Sequence, residues 1–448
     1  TMRTFSIITL GCRVNQCESD EIAQGLTERG WENAPVGEIP TVVIVNTCTV
    51  TGESDRKSRQ MIRRAAAQGS HVVVTGCFAQ IAGEEAAKIP GVVYVCGNDR
   101  KAKIPAVLSH IDALSDTMEG TPAIDVDTDD MADAAMDPVV LRIPKRVRSY
   151  IKIEDGCENR CAYCIIPKAR GKVRSKPACE VLREAAHLAG YCRELILTGI
   201  ETASYGMDLR EDGQKLPYGM ALASLLREVD SIPGVKRIGM GSLEPTVMSD
   251  AFVSALTGVT HILHHFHLSI QSGSTTVLHR MRRRYTAQMA LAAMERVRSA
   301  MPDATFGADV IVGFPGETET EFAETAAFCR QARFLHLHIF PYSIREGTEA
   351  ASMADQVPEA VKKARVRALE AVDDEIRTAM LAEYVAAHRT APVYVLVEKA
   401  EDGIANGHTE HFVEVDIPTD RADVVGQLLP VLLTETDGVI CRGTFVER

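Results

Sequence analysis

No stretch of the 448 residues is an apolar run of the roughly 18–20 residues that a membrane-spanning helix requires. The opening TMRTFSIITLGC has neither the apolar length nor the cleavage site of a secretory leader. No internal repeat stands out beyond an alternation of strand-like and helix-like segments. These absences predict a cytoplasmic protein that makes no contact with a membrane. In that compartment thiols stay reduced, so clustered cysteines point to metal more than to disulfides. The chain has 12 cysteines.

Basic residues are missing altogether from 112–140, which holds nine acidic ones, and residues 391–448 carry a net −7. These stretches account for −9 and −7 of a net charge of −12, so the rest of the chain carries +4. A mildly basic body is compatible with nucleic acid, whereas the acidic terminal module suits a basic protein partner. Segment 112–140 has little periodicity and reads as a linker or mobile insertion.

The first hundred residues alternate strands (TFSIITLGC, TVVIVNTC, HVVVTGC, GVVYVCGN) with helices (ESDEIAQGLTERG, SDRKSRQMIRRAAAQG). That alternation predicts a parallel sheet covered by helices. A second series starts near 141 with strands SYIKIEDGC, ELILTGI, RIGMGSLEP, FHLSIQSG, TFGADVIVGFPGE and FLHLHIFPYS. Six parallel strands predict a partial or full β/α barrel, with its chemistry at the C-terminal strand ends. A helix-like stretch over 359–388 leads into a strand-rich tail of small-barrel pattern.

Three cysteines share one placement. Cys12 follows SIITLG, Cys48 follows TVVIVNT and Cys77 follows HVVVTG. In an open parallel sheet the C-terminal ends of the strands share one edge, where ligands bind, so three distant thiols would meet there. A single strand-end cysteine reads as a core residue, but three placed alike point to a metal or cluster site. Cys17 and Cys96 are further candidates, and both read as structural. GCENRCAYC is the more specific signal. Cys157, Cys161 and Cys164, spaced C-x3-C-x2-C, suit three irons of a [4Fe–4S] cluster and leave the fourth open. A zinc site would show a second C-x2-C or a Cys/His pair, which does not follow.

The C-x3-C-x2-C loop after a first barrel strand, with Tyr163 before its last cysteine, resembles the radical S-adenosylmethionine enzymes. With Cys12, Cys48 and Cys77 added, the chain resembles the methylthiotransferases over nearly its whole length. LGCRVNQCESD, NTCTVTGESDRKSRQ, CAYCIIPKARGKVRS, HLSIQSGSTTVLHRMRRRYT, DVIVGFPGETE and HIFPYSIREGT are most similar to the branch acting on N6-threonylcarbamoyladenosine in tRNA. Cys17, Cys96 and Glu201 depart from the family pattern.

The resemblance implies an α/β protein of four segments. These are a Rossmann-like parallel-sheet domain (1–110), an acidic linker (111–140), a radical partial barrel (141–388) and a TRAM-like β-barrel (389–448). It implies two [4Fe–4S] clusters, one on Cys157, Cys161 and Cys164 and one on Cys12, Cys48 and Cys77, with S-adenosylmethionine as radical source and methyl donor. Tyr163, Gly199, Glu244, Gln271 and Gly313 are the implied contacts to S-adenosylmethionine. Gly313 is expected to let backbone approach the adenosine closely.

The expected partners are a tRNA anticodon loop and an electron donor such as a flavodoxin or ferredoxin, with the oligomeric state left open. The expected product carries a methylthio group at C2 of the adenosine 3′ of the anticodon. DRKSRQMIRR, PKRVR, PKARGKVRSK and RMRRRY are candidate phosphate contacts, and loop nucleotides leave the stack at little cost. The alternative inside the family is a ribosomal-protein aspartate methylthiotransferase, favoured by the acidic terminal module. Outside it stands a plain iron–sulfur carrier, which would not cleave S-adenosylmethionine.

Overall fold

The computed structural model describes residues 3–109, 125–128, 130–131, 134–209 and 215–446. The first sheet is parallel throughout, in the order β2–β1–β3–β4–β5–β6. Its strands are β1 (Thr4–Thr9), β2 (Glu32–Asn33), β3 (Val42–Thr47), β4 (His71–Gly76), β5 (Val92–Cys96) and β6 (Asp125–Asp127). Side chains alternate faces along each strand, and both faces are covered, so the strands read as continuous valine and isoleucine. Val42, Ile44 and Val73 pack with Ile22 and Leu26 of helix α1 (Arg13–Thr27) and Ile104 of α4 (Ile104–Leu108). On the opposite face Val43, Val45, Val72 and Val74 meet Ile62 of α2 (Gly52–Ala67) and Phe78 of α3 (Cys77–Ala87).

Most of the expected acidic linker lies outside the described residues. Where it is described it joins folded parts. β6 pairs with β5, and Asp137 accepts an ion pair from Lys152 at 2.9 Å.

The second series forms β7 (Arg148–Lys152), β8 (Glu154–Asp155), β9 (Arg174–Ser175), β10 (Glu194–Thr198), β11 (Arg237–Met240), β12 (His265–Gln271), β13 (Thr305–Val312) and β14 (His336–Pro341). β7–β10–β11 and β12–β13–β14 are parallel three-stranded sheets, joined by isolated bridges at Ile238–Ile262 and Leu243–Leu268. β7 and β14 do not pair among the described residues, so the barrel is partial. The first domain spans that gap. Its α1 packs on β7. On the β14 side Gly52 N–H donates to Ser343 Oγ at 2.8 Å, and Arg345 donates to Thr49 Oγ1 at 2.6 Å and pairs with Asp55 at 2.8 Å.

Helix Glu359–Ala387 leads to a closed barrel of β15 (Val393–Glu401), β16 (Ile404–Thr409), β17 (Glu414–Pro418), β18 (Leu428–Thr436) and β19 (Cys441–Phe445). This module plugs the end of the radical barrel opposite the cysteine loop. The first residues of several radical strands touch it. Arg237 donates to the carbonyls of His408 (2.9 Å) and Tyr394 (2.6 Å), Thr305 Oγ1 donates to that of His411 (2.7 Å), and Arg148 pairs with Glu398. The Phe412 ring stacks between His265 (5.0 Å) and His408 (4.8 Å).

Candidate functional site

Cys12, Cys48 and Cys77 leave the ends of β1, β3 and β4, which are adjacent strands, so the topology sets the three thiols side by side. Two glycines make that approach possible. Gly11 has φ +94, and a side chain there would lie 2.8 Å from Cys48 Cβ. Gly76 has φ +97 and lies against the Thr47 backbone and Asn46 Oδ1. Both are left-handed positions at which a β-carbon is strained. Asn15 Nδ2 ties the edge together, donating to the carbonyls of Leu10 (2.7 Å) and Thr47 (2.9 Å). Burial, followed by the charges of Cys77 and Cys12, pushes the Cys48 thiol up to about 11.

The two spare cysteines face elsewhere. Cys96 is buried in the core, its thiol donating to Thr75 Oγ1 at 3.3 Å. Cys17 points to the Tyr150 carbonyl at 3.5 Å. Both agree with the structural reading.

The second trio sits on the loop after β8. Cys157 N–H donates to the Gly171 carbonyl (3.0 Å), Ala162 N–H to that of Met281 (3.0 Å), and Ala350 N–H to that of Ala162 (2.8 Å). Burial pushes the Cys164 thiol up to about 12, and the charges of Cys161 and of Cys77 from the other domain add to the rise. Both trios face the joint between the two domains, where Asn98 Nδ2 of the first donates to the Ala169 carbonyl of the second at 2.7 Å.

Charged donors are aimed at both trios. Arg170, fully buried, donates from Nε to Cys77 Sγ at 3.4 Å, and Asn98 Nδ2 donates to the same sulfur at 3.5 Å. Arg283 Nη1 donates to Cys161 Sγ at 3.2 Å. Hydrogen bonds to the sulfurs tune a bound cluster. Three soft donors per site, no fourth cysteine turned inward among the described residues, and cations on the sulfurs make a fitting set for a [4Fe–4S] cluster in each place.

Arg170 also welds the domains. Its guanidinium donates to Glu18 Oε1 (2.6 Å) and Asn15 Oδ1 (2.5 Å) of the first domain and to Asp155 Oδ2 (3.1 Å) of the second. Lys101 and Lys152 complete the cage around Glu18. Against the burial that would raise it, Arg170, Lys101 and Lys152 hold the Glu18 carboxyl well below the usual carboxylate range.

Of the expected S-adenosylmethionine contacts, Tyr163 and Glu244 lie at the cysteine loop. Tyr163 meets Phe314 edge-on at 6.5 Å. Glu244 accepts from Asn159 Nδ2 at 3.2 Å and lies 3.9 Å from Arg283. Gln271 closes β12 with φ +70, where the register with β13 shifts. Gly199 backs onto Glu154, whose Cβ lies 3.1 Å from where a side chain would begin. Gly313 has φ +72; the space its side chain would fill is taken by Lys362 of the long helix, and its N–H donates to Glu317 Oε1 at 2.8 Å. Glu201 is buried and accepts from Tyr218 (2.7 Å) and Ser204 (2.8 Å).

The basic stretches divide, because in two of the four some cations turn inward while Lys168, Lys172, Arg282 and Arg284 stay exposed. In PKARGKVRSK, Arg170 and Lys176 are buried and Arg174 pairs with Asp155 at 3.3 Å. In RMRRRY, Arg280 pairs with Glu321 (2.8 Å), Arg282 with Glu349 (2.7 Å), and Arg283 serves the cysteine loop. PKRVR does line open space. A cavity of about 770 Å³ runs between the three domains to Cys12, with Lys145, Arg146 and Arg148 on its wall and Arg13 beside them.

Sequence reasoning also missed the inner wall of the barrel. His267 Nε2 and His338 Nδ1 approach the same Asp309 oxygen at 3.0 and 3.1 Å. The pattern was visible as HFH over 265–267 and HLH over 336–338, histidines two apart on one strand face.

Residues 151–329 match the radical SAM superfamily, and residues 4–97 match uncharacterized protein family UPF0004. A threonylcarbamoyladenosine tRNA methylthiotransferase, MtaB, of Bacillus subtilis (strain 168) is 38% identical, the alignment covering 99% of this chain and 97% of that one. Its namesake in Thermotoga maritima is 33% identical over 100% and 98%. A tRNA-2-methylthio-N(6)-dimethylallyladenosine synthase of Erythrobacter litoralis is 32% identical over 99% and 98%. Among solved structures, the radical S-adenosylmethionine methyltransferase TsrM of Kitasatospora setae superposes with a TM-score of 0.55 at 14% identity, covering 78% of this chain and 77% of that one, a likeness of fold alone. Among the described residues no helix is long and apolar enough to cross a membrane.

Proposed function

The chain belongs to the radical S-adenosylmethionine methylthiotransferases, and on that premise we propose that it adds a methylthio group at C2 of N6-threonylcarbamoyladenosine, 3′ of the anticodon in tRNA. Radical SAM membership implies one [4Fe–4S] cluster and S-adenosylmethionine. The second cluster, on Cys12, Cys48 and Cys77, is part of the proposal, as are the use of S-adenosylmethionine as both radical source and methyl donor and a flavodoxin- or ferredoxin-like reductant. Bound to the loop cluster, S-adenosylmethionine supplies a radical able to act on an unactivated C–H bond.

The residues divide the remaining work. Cys157, Cys161 and Cys164 hold the radical cluster, and Arg283 steadies Cys161. Cys12, Cys48 and Cys77 hold the cluster at which sulfur is delivered, with Arg170 and Asn98 on Cys77. Tyr163, Glu244 and Gln271, at the strand ends beside the loop, orient S-adenosylmethionine, and Gly199 lets Glu154 pack behind them. The N-terminal sheet shields the lateral gap of the barrel from water. The cavity at Cys12, rimmed by Lys145 and Arg146, admits a nucleotide withdrawn from a flexible loop.

One observation carries this reading. Arg170, on the helix that follows the cysteine loop, donates to Cys77 Sγ of the other trio at 3.4 Å, and Asn98 Nδ2 bonds both that sulfur (3.5 Å) and the Ala169 carbonyl (2.7 Å), so the two trios face the same domain joint. The acidity of the terminal module does not revive the ribosomal-protein alternative, because the cited relatives are named for tRNA nucleosides.

The test is an anaerobic assay of reconstituted protein with reductant, sulfide and S-adenosylmethionine, offered tRNAs with threonylcarbamoyladenosine or dimethylallyladenosine. Mass spectrometry of the nucleosides should find the methylthio gain on the first. A gain on the second alone, or on neither while S-adenosylmethionine is cleaved, overturns it.

A further inference from the structure

Among relatives about equally similar to this chain, some are named for a threonylcarbamoyl group and others for a dimethylallyl group. Both groups sit on N6 of adenosine. The first carries the free carboxylate of its threonine, and the second is hydrocarbon. Shared fold and shared clusters cannot separate them, so the selecting residue must meet the N6 substituent while C2 faces the iron.

The cavity at Cys12 holds charge of the needed sign. Arg148 is engaged by Glu194 (2.9 Å) and Glu398. Arg13, Lys145 and Arg146 make no ion pair or side-chain hydrogen bond among the described residues. Lys145 and Arg146 are exposed and suit phosphates near the mouth. Arg13 is exposed as well. It is bonded directly to Cys12, and its guanidinium lies 5.8 Å above the Tyr150 ring, on the first radical strand.

Its position on α1 adds a second argument. Arg13 is the first residue of a 15-residue helix with no acidic residue in its first turn and no side-chain cap. A cation there opposes the helix dipole, a cost that an arriving anion relieves. In adenine, C2 and C6 flank N1, so with C2 turned toward a cluster held by Cys12, Cys48 and Cys77 a carboxylate a few bonds beyond N6 would lie on the same side of the base, within the reach of an extended arginine beside Cys12.

We propose that Arg13 binds the carboxylate of the threonylcarbamoyl group and makes the enzyme select the charged modification over an apolar one. The proposal rests on the reading given under Proposed function. A planar guanidinium grips a carboxylate through two parallel bonds, which an ammonium on the same stem does not reproduce.

The experiment uses cluster-loaded full-length protein and three anticodon stem-loops, bearing threonylcarbamoyladenosine, its carboxylate-capped methyl amide, or dimethylallyladenosine. Equilibrium binding and kcat/KM are measured for the wild type, Arg13→Gln and Arg13→Lys, with iron content and the electron paramagnetic resonance spectrum as controls. The wild type should prefer the free carboxylate to the amide. Arg13→Gln should lose ~10–100-fold on the carboxylate and little on the amide, with unchanged iron and spectrum, and Arg13→Lys should recover part of the loss. Retained discrimination in Arg13→Gln, or equal losses on carboxylate and amide, overturns the role of Arg13. A wild-type enzyme that acts only on the dimethylallyl stem-loop overturns the functional reading and this proposal together.

Discussion

Removing the Arg170 guanidinium should loosen the joint between the first two domains. Arg170 is fully buried and donates to Glu18, Asp155 and Asn15 as well as to Cys77 Sγ. Arg170→Met keeps most of the volume and deletes the charge. Breaking a buried ion pair from one side typically costs about 3–5 kcal/mol, because a charge is left without compensation. Here the loss is partly covered. Glu18 keeps Lys101 and Lys152, and Asp155 keeps Arg174 at 3.3 Å and Lys152 at 3.5 Å. The lower end, about 3 kcal/mol, is therefore expected. With a urea m-value of ~1–3 kcal/mol per molar, the midpoint should fall by about 1 M or more. Glu18→Gln and the double variant complete a cycle whose coupling should be about 1–3 kcal/mol. A midpoint shift equivalent to less than about 0.5 kcal/mol, the scale of an exposed pair, would refute the claim that this network joins the domains.

Gly76→Ala should impair the first thiol trio: φ +97 costs an alanine about 1–2 kcal/mol, and its methyl would press on the Thr47 backbone. Iron per reconstituted chain should drop toward the level of a Cys77→Ala protein, while the radical-loop cluster persists by spectroscopy; full iron loading would count against the packing argument. Phe412→Ala should cost about 2 kcal/mol through lost stacking on His265 and His408, read as earlier melting of the terminal barrel. Burial holds His336 down to about 4, beneath that same plug. Because its folded value is depressed, its contribution is complete above the unfolded value near 6.5 and is lost as pH falls from there through 4. Moving from pH 7 to 5 should therefore cost about 2 kcal/mol through His336, a share that His336→Phe should remove from pH-dependent melts while the share of the neighbouring His265 persists.

Much of the architecture was readable because it depends on local patterns. Val42–Thr47 and His71–Gly76 are valine-rich strands ending in cysteine, and parallel pairing brings such ends to one edge whatever lies between them. α1 began earlier than its polar sequence suggested, at Arg13, because its start is set by the turn at Gly11. β2 and β6 are edge strands of two and three residues, too short to carry periodicity.

The site was legible where chemistry is written as spacing, in Cys157, Cys161 and Cys164, and illegible where it depends on what lies across an interface. Arg170 stands six residues past Cys164 in a run that reads as solvated cations. Nothing local announces Glu18, 152 positions away, as its partner. A buried cation needs a buried anion, so two polar stretches that each look like surface become interior only together. The same reasoning gives Arg13 its interest. Arg170 and Arg283 found acceptors within the fold, whereas the cation beside Cys12 found none among the described residues. A charge that folding leaves unmatched beside a cluster ligand is placed to be matched by substrate.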